Sequence, residues 1–190
     1  MARLPKDSID RFFDYDLHTE TRTIFVGDAS EDGVDALMAE RVIKALHLFV
    51  TADAGKEIRL ILNSAGGYWT HGMAIYDAIK ACPAHITIEV YGNCMSMATV
   101  ILQAADERIL HPGVTFMIHD GSDGYVGNTR DFEAWAKHSK IIRKRMYEIY
   151  AEKSGKPTSY WEKKCGTDFI LEAKQAVALG LADKVVGTEE

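Results

Sequence analysis

Short apolar runs rich in β-branched residues alternate along this chain with segments whose apolar side chains recur every three or four residues. That alternation constrains the fold more than any other feature. Ile24-Phe25-Val26-Gly27 precedes Val34, Leu37, Met38, Val42, Ala45, Leu46 and Phe49 at helical spacing. Ile58-Arg59-Leu60-Ile61-Leu62 precedes Met73, Ile75, Tyr76 and Ile79, a helix stopped before Pro83, and Ile86-Thr87-Ile88-Glu89-Val90 precedes a helix-like stretch from Thr99. Arg108-Ile109-Leu110 then turns at Pro112-Gly113 into Val114-Thr115-Phe116-Met117-Ile118. Leu171 to Leu179 reads as a helix with Gly180 as its C-cap, and Lys184-Val185-Val186 as a last strand. Repeated strand-helix units of this kind predict an α/β layered fold with a largely parallel sheet.

Two segments stand outside the repeat. Residues 1–21 are polar apart from Phe12-Phe13-Asp14-Tyr15 and read as an N-terminal arm that packs onto something else, such as another subunit. From Asp131 to Lys153, Phe132, Trp135, Ile142, Met146 and Ile149 keep helical spacing, which predicts one helix about 30 Å long that protrudes beyond its own core. An apolar stripe on such a helix is an exposed patch unless another subunit covers it, the alternative being that it folds back on its own core. The 190 residues otherwise fit one domain, with no repeat or linker.

Composition excludes several functions. A formal charge of −6 argues against a nucleic-acid face, and the basic run from Lys137 to Arg145 reads as a solvated helix side. Cys82, Cys94 and Cys165 are widely spaced and odd in number, so neither a disulfide framework nor a zinc site is expected, and a reducing cytoplasm is the simplest compartment. No apolar stretch approaches the ~20 residues that span a bilayer. There is no nucleotide-binding glycine pattern and no metal-ligand spacing, so the chemistry is read as cofactor-free.

Candidate chemistry centres on Ser96, in Gly92-Asn93-Cys94-Met95-Ser96-Met97-Ala98, read as a small-residue turn between a strand and a helix. A serine there is ordinarily a helix cap. The same position suits a nucleophile, because backbone N–H groups at a helix start lack intrahelical partners and stabilise negative charge. Strand ends in open α/β sheets gather functional groups, and two more features fall at such ends: Gly66-Gly67 after residues 58–62, and His119 after Ile118. An imidazole with an ordinary pKa near ~6.5 suits a general base at neutral pH. Gly67 and Met97 would offer the N–H pair of an oxyanion hole. The orienting acid is a choice among Asp168, which apolar residues follow directly, Asp120 and Asp123. Cys94, two residues before Ser96, reads as a small buried side chain rather than a nucleophile.

Asn63-Ser64-Ala65-Gly66-Gly67, Gly72-Met73-Ala74-Ile75-Tyr76-Asp77, Met95-Ser96-Met97-Ala98, Met117-Ile118-His119 and Gly180-Leu181-Ala182-Asp183, in that order, resemble the proteolytic subunits of the Clp protease, the ClpP family. The resemblance runs from about Arg22 to Val186. It implies a ClpP/crotonase-like fold and a serine endopeptidase in which Ser96 is the nucleophile, His119 the base and Asp168 the acid, with Gly67 and Met97 as oxyanion donors. It further implies heptameric rings, singly or stacked as tetradecamers, that enclose the sites. A handle helix is matched by 131–153, and a strand beside which extended peptides bind is matched by Gly121 to Gly127, which with Gly66 makes Tyr125 and Val126 substrate-binding candidates. An AAA+ unfoldase partner, common in the family, is argued against by Arg59 and Ile61, which stand where an aromatic pair lines the docking pocket in many members. Ala65 replaces the usual proline, Thr167 the arginine that commonly precedes the acid, and Asp120 the glutamine after the histidine, marking a divergent, phage-borne or paralogous member. The competing readings are a non-catalytic ring subunit of a mixed assembly and a crotonase-like acyl-CoA enzyme.

Overall fold

The computed structural model describes residues 15–28 and 33–188. Among these residues eight strands form one sheet: β1 (Leu17–His18), β2 (Thr23–Gly27), β3 (Ile58–Ser64), β4 (Ile86–Met95), β5 (Glu107–Leu110), β6 (Thr115–Ile118), β7 (Phe169–Glu172) and β8 (Lys184–Val185). The main path runs β1-β2-β3-β4-β5-β8, with β6 on β4 and β7 on β6. All pairings are parallel except β1 with β2 and β6 with β7. The mixed α/β fold with a largely parallel sheet is therefore as the alternation predicts.

Among the described residues six helices accompany these strands: α1 (Ala36–Ala52), α2 (Trp69–Lys80), α3 (Met97–Leu102), α4 (Thr129–Ser154), α5 (Thr158–Cys165) and α6 (Ala173–Ala178). Asp35 caps α1 by accepting the Met38 N–H, so Val34 lies before the helix and instead bridges Gly67. Along β3, Ile58, Leu60, Leu62 and Ser64 are buried while Arg59 and Asn63 are exposed, the period of two that gives a strand one core face. That face packs with Val42, Leu46 and Phe49 of α1, Ile75 and Ile79 of α2, and Val100 to Leu102 of α3 in the core.

Three sequence expectations are corrected, and one helix carries no sequence signature. β4 does not end at Val90; it continues through Met95, leaving β5 for β6 at Gly92, whose φ of 60° makes the bend. Residues 91–93 face solvent, so apolar periodicity carries no sign of the extension. Leu171 belongs to strand β7, and the helix begins only at Ala173. Helix α5 buries only Trp161 and Cys165, too few apolar positions to set up a period. The arm is already sheet from Leu17, which is buried, whereas Phe12 and Phe13 lie outside the described residues.

The long helix runs Thr129–Ser154, slightly longer at both ends than expected. Its halves differ: Phe132 and Trp135 are each 54% exposed, whereas Met146, Tyr147, Ile149 and Tyr150 are buried. It protrudes with its first half and packs with its second.

Candidate active site

Ser96 sits where β4 ends and α3 begins. Its N–H continues the ladder to Met117 O at 2.8 Å, and its backbone then turns sharply, at φ 50° and ψ −123°. A non-glycine residue there stores strain of about 1–3 kcal/mol, held by the strand on one side and the helix on the other. Although Ser96 occupies the N-cap position, its side chain caps nothing. The Oγ lies 2.8 Å from His119 Nε2 instead, and His119 Nδ1 lies 3.1 Å from Asp168 Oδ1.

The β6–β7 register explains why Asp168 is the aspartate in reach. Ile118 pairs with Phe169 in an antiparallel ladder, so the next residues outward, His119 and Asp168, face each other beyond its end. The Asp120 carboxylate is engaged elsewhere, accepting the Tyr147 O–H at 2.5 Å, and Asp123 lines the cleft without joining the chain of hydrogen bonds. Asp168 is 64% exposed, so the outer end of the chain is wet.

The glycine pair is pressed against the serine. Gly66 has φ 102°, and a Cβ there would fall 2.6 Å from Ser96 Cβ, 2.8 Å from Met95 O and 3.0 Å from Met97 N, so no larger residue fits. The loop is pinned by Ala65 N–H to Asp28 Oδ2 (2.7 Å), Gly66 N–H to Ser64 Oγ (3.0 Å) and Val34 N–H to Gly66 O (2.8 Å). The Val34 bridge uses Gly66 O and Tyr68 N–H, so the Gly67 N–H is outside both of its bonds. Met97 is the first residue of α3, and its N–H has no carbonyl one turn back within the helix.

The cleft over Ser96 and His119 has a volume of about 360 Å³; Tyr68 and Trp69 line one side, and Ile142, Arg143 and Met146 of α4 line another. Tyr68, Trp69 and Arg143 were not legible as site residues, because only the folding of α4 beside α3 brings them together. Tyr125 and Val126 are exposed and do not line this cleft. Residues 119–128 form no ladder among the described residues, which corrects the expectation of a strand there.

Cys94 is buried, and burial pushes its thiol far above the ordinary range, which holds it protonated. Among the described residues no group of His, Cys, Asp or Glu has the arrangement of a metal site, and no helix is long and apolar enough to cross a membrane. Arg59 is half-exposed on β3, 3.6 Å from Glu89 Oε2. Glu89 also bonds His111 Nε2 at 2.7 Å and the Tyr91 O–H at 2.9 Å, and burial, which alone would raise its carboxyl, is outweighed by these contacts, which hold it low.

Comparison with known proteins gives one family. The sequence profile described as Clp protease matches residues 8–189. The chain is 32% identical over 177 residues to the "ATP-dependent Clp protease proteolytic subunit" of Deinococcus radiodurans, covering 90% of this chain and 85% of that protein. It is 33% identical over 153 residues to "ATP-dependent Clp protease proteolytic subunit 2" of Chlamydia muridarum, covering 80% and 75%. The chain belongs to the Clp protease family, and its fold is that family's mixed α/β fold.

Proposed function

We propose that this member of the Clp protease family is a serine endopeptidase that cleaves peptides and unfolded proteins through an acyl-enzyme. The observation that carries the reading is the continuous chain Ser96 Oγ to His119 Nε2 (2.8 Å) and His119 Nδ1 to Asp168 Oδ1 (3.1 Å). For Ser96 to donate to Nε2, the imidazole proton must be on Nδ1, and Asp168 as acceptor favours that tautomer. Ser96 Oγ attacks the scissile carbonyl carbon as Nε2 takes its proton. The oxyanion is held by the Gly67 and Met97 N–H groups, and the proton passes to the leaving amine as the C–N bond breaks. Water then attacks the Ser96 ester, again through His119, releasing the acid. Gly66 keeps the backbone close enough to Ser96 for both donors to converge.

The proposal includes a single catalytic domain and assembly as a ring-shaped homo-oligomer, a heptamer or a stacked pair, enclosing the sites. The exposed Phe132 and Trp135 on the protruding half of α4 support it, since an apolar patch of this kind is covered in an assembly. Tyr125 and Val126 are proposed to guide extended peptide toward the cleft. The charged Arg59–Glu89 pair beside Ile61 argues against docking of an apolar unfoldase segment on that face. Three cysteines without a disulfide among them are compatible with a cytoplasmic setting.

A fluorophosphonate is expected to label Ser96, and Ser96→Ala to lower cleavage of a fluorogenic peptide by about 10⁴-fold or more, since triad members act as a unit. Cleavage persisting in Ser96→Ala would overturn the mechanism. The native mass of the active fraction tests the ring.

A further inference from the structure

Two tyrosines on the buried half of α4 each reach one side of the Ser96–His119 pair. Tyr147 donates its O–H to Asp120 Oδ1 at 2.5 Å, and Asp120 directly follows His119. The Asp120 N–H is bonded to Cys165 O at 2.8 Å, so the segment after the histidine is held by both α4 and α5. One turn further along α4, Tyr150 lies 2.6 Å from Thr99 Oγ1, and Thr99 Oγ1 donates to Ser96 O, also at 2.6 Å. Thr99 has one hydroxyl proton and a carbonyl only accepts, so that proton serves Ser96 O and Tyr150 donates to Thr99. Tyr150 and Thr99 are wholly buried and Tyr147 nearly so. Water does not replace the Tyr150–Thr99 bond if it is lost, whereas the Tyr147–Asp120 bond is only part-buried. Burial, reinforced for Tyr147 by Asp120, pushes both phenols up, so each stays a protonated donor.

We infer that Tyr147 and Tyr150 are positioning residues that tie the His119 and Ser96 segments to one rigid helix and so set the separation of the two side chains. The inference rests on the serine-peptidase reading above. Because residues 147 and 150 share one face of the helix, a displacement of α4 moves both anchors together. The protruding half of the same helix thereby has a mechanical route to the site.

The test uses the full-length native assembly, with steady-state hydrolysis of a fluorogenic peptide and the rate of Ser96 labelling by a fluorophosphonate. Misplacement of about 1 Å from outside the chemistry can cost about 10²-fold. A loosened anchor is expected to cost about 10-fold in kcat and labelling rate for Tyr147→Phe, Asp120→Ala, Tyr150→Phe and Thr99→Val, with KM within about twofold. Tyr147→Phe combined with Asp120→Ala should lose no more than either alone. Asp120→Asn keeps an amide oxygen to accept from Tyr147, and Thr99→Ser keeps the hydroxyl, so each should recover most of what the Ala or Val variant loses. Merely structural roles would lower the titrated fraction of active sites and leave kcat per active site unchanged, which overturns the inference. So does a wild-type kcat in both Phe variants, or equal losses in the conservative and non-conservative pairs. If a Phe variant does not fold, the Asp120→Asn against Asp120→Ala and Thr99→Ser against Thr99→Val pairs decide the matter. Wild-type protein that is not labelled at Ser96 overturns the peptidase reading itself; labelled wild type with unaltered variants overturns only the positioning.

Discussion

Two polar clusters bridge distant parts of this chain, and they are built to opposite specifications. Around Arg108, the guanidinium and backbone N–H meet Asp183 at 2.5, 3.1 and 2.7 Å, while Nη1 donates to Gln103 Oε1 at 2.7 Å and Gly180 O at 3.0 Å. Gln103 in turn donates to Thr99 O and Leu181 O. Arg108 is only 6% exposed, and the cluster spends its hydrogen-bonding capacity on itself, joining α3, β5 and the segment before β8. Around Ser96, by contrast, the backbone is strained, the serine does not cap its helix, and Asp168 stands in solvent. A closed cluster holds the fold together. An open one keeps groups free for a substrate, at some expense in stability.

The largest effect that would break this contrast is at the open cluster. Asp168→Asn should reduce kcat by about 10²-fold by removing the preference for the Nδ1–H tautomer, less than for a buried acid because water reaches this position. Its thermal midpoint should stay that of wild type, which a melting curve checks; a marked drop would mean that Asp168 is structural after all. At the closed cluster the pattern reverses. Asp183→Ala leaves the buried Arg108 without its main partner and should cost about 2 kcal/mol in a urea titration, with kcat per folded molecule little altered.

The same aspartate predicts a pH dependence. Burial works to raise the Asp183 carboxyl, but the Arg108 hydrogen bonds and charge outweigh it and hold it below the ordinary value. A group depressed in the folded state contributes stability that is fully present above its unfolded pKa, about 3.9, and lost as pH falls through the lower folded value. Acid titrations of wild type and Asp183→Ala should therefore converge below that range.

Smaller effects sharpen the comparison. Ser96→Gly should raise stability by about 1 kcal/mol in a urea titration, because glycine tolerates φ 50° without the strain a side chain brings. Cys94, two residues from Ser96 but buried and held as a thiol, should resist iodoacetamide at pH 8 in the native protein; peptide mass mapping would reveal any modification.

How far the molecule was legible depended on whether each feature had a local signature. Helix α1 and strand β3 have faces that are buried along their whole length, so their periods are written in the sequence. The last stretch of β4 has no such signature, because Tyr91, Gly92 and Asn93 face solvent although Asn93 already pairs with Thr115 of β6. Helix α5 buries only two side chains, four apart, and β7 is held by a ladder to β6 rather than by its own pattern. Tyr147 and Tyr150 read only as members of a long amphipathic helix, since nothing local shows what their hydroxyls reach.

The sequence by itself determined the alternation of strand and helix, the glycines that a close backbone approach demands, and the candidates Ser96 and His119 at strand ends, because each is enforced by local periodicity or sterics. From the residues alone the acid remained a choice of three aspartates, and resemblance pointed to Asp168. Only the tertiary structure brings Asp168 to His119 through the Ile118–Phe169 register, and only it sets α4 against both halves of the pair. Contacts between residues 49 or 51 positions apart depend on how whole elements dock, and no local pattern specifies that.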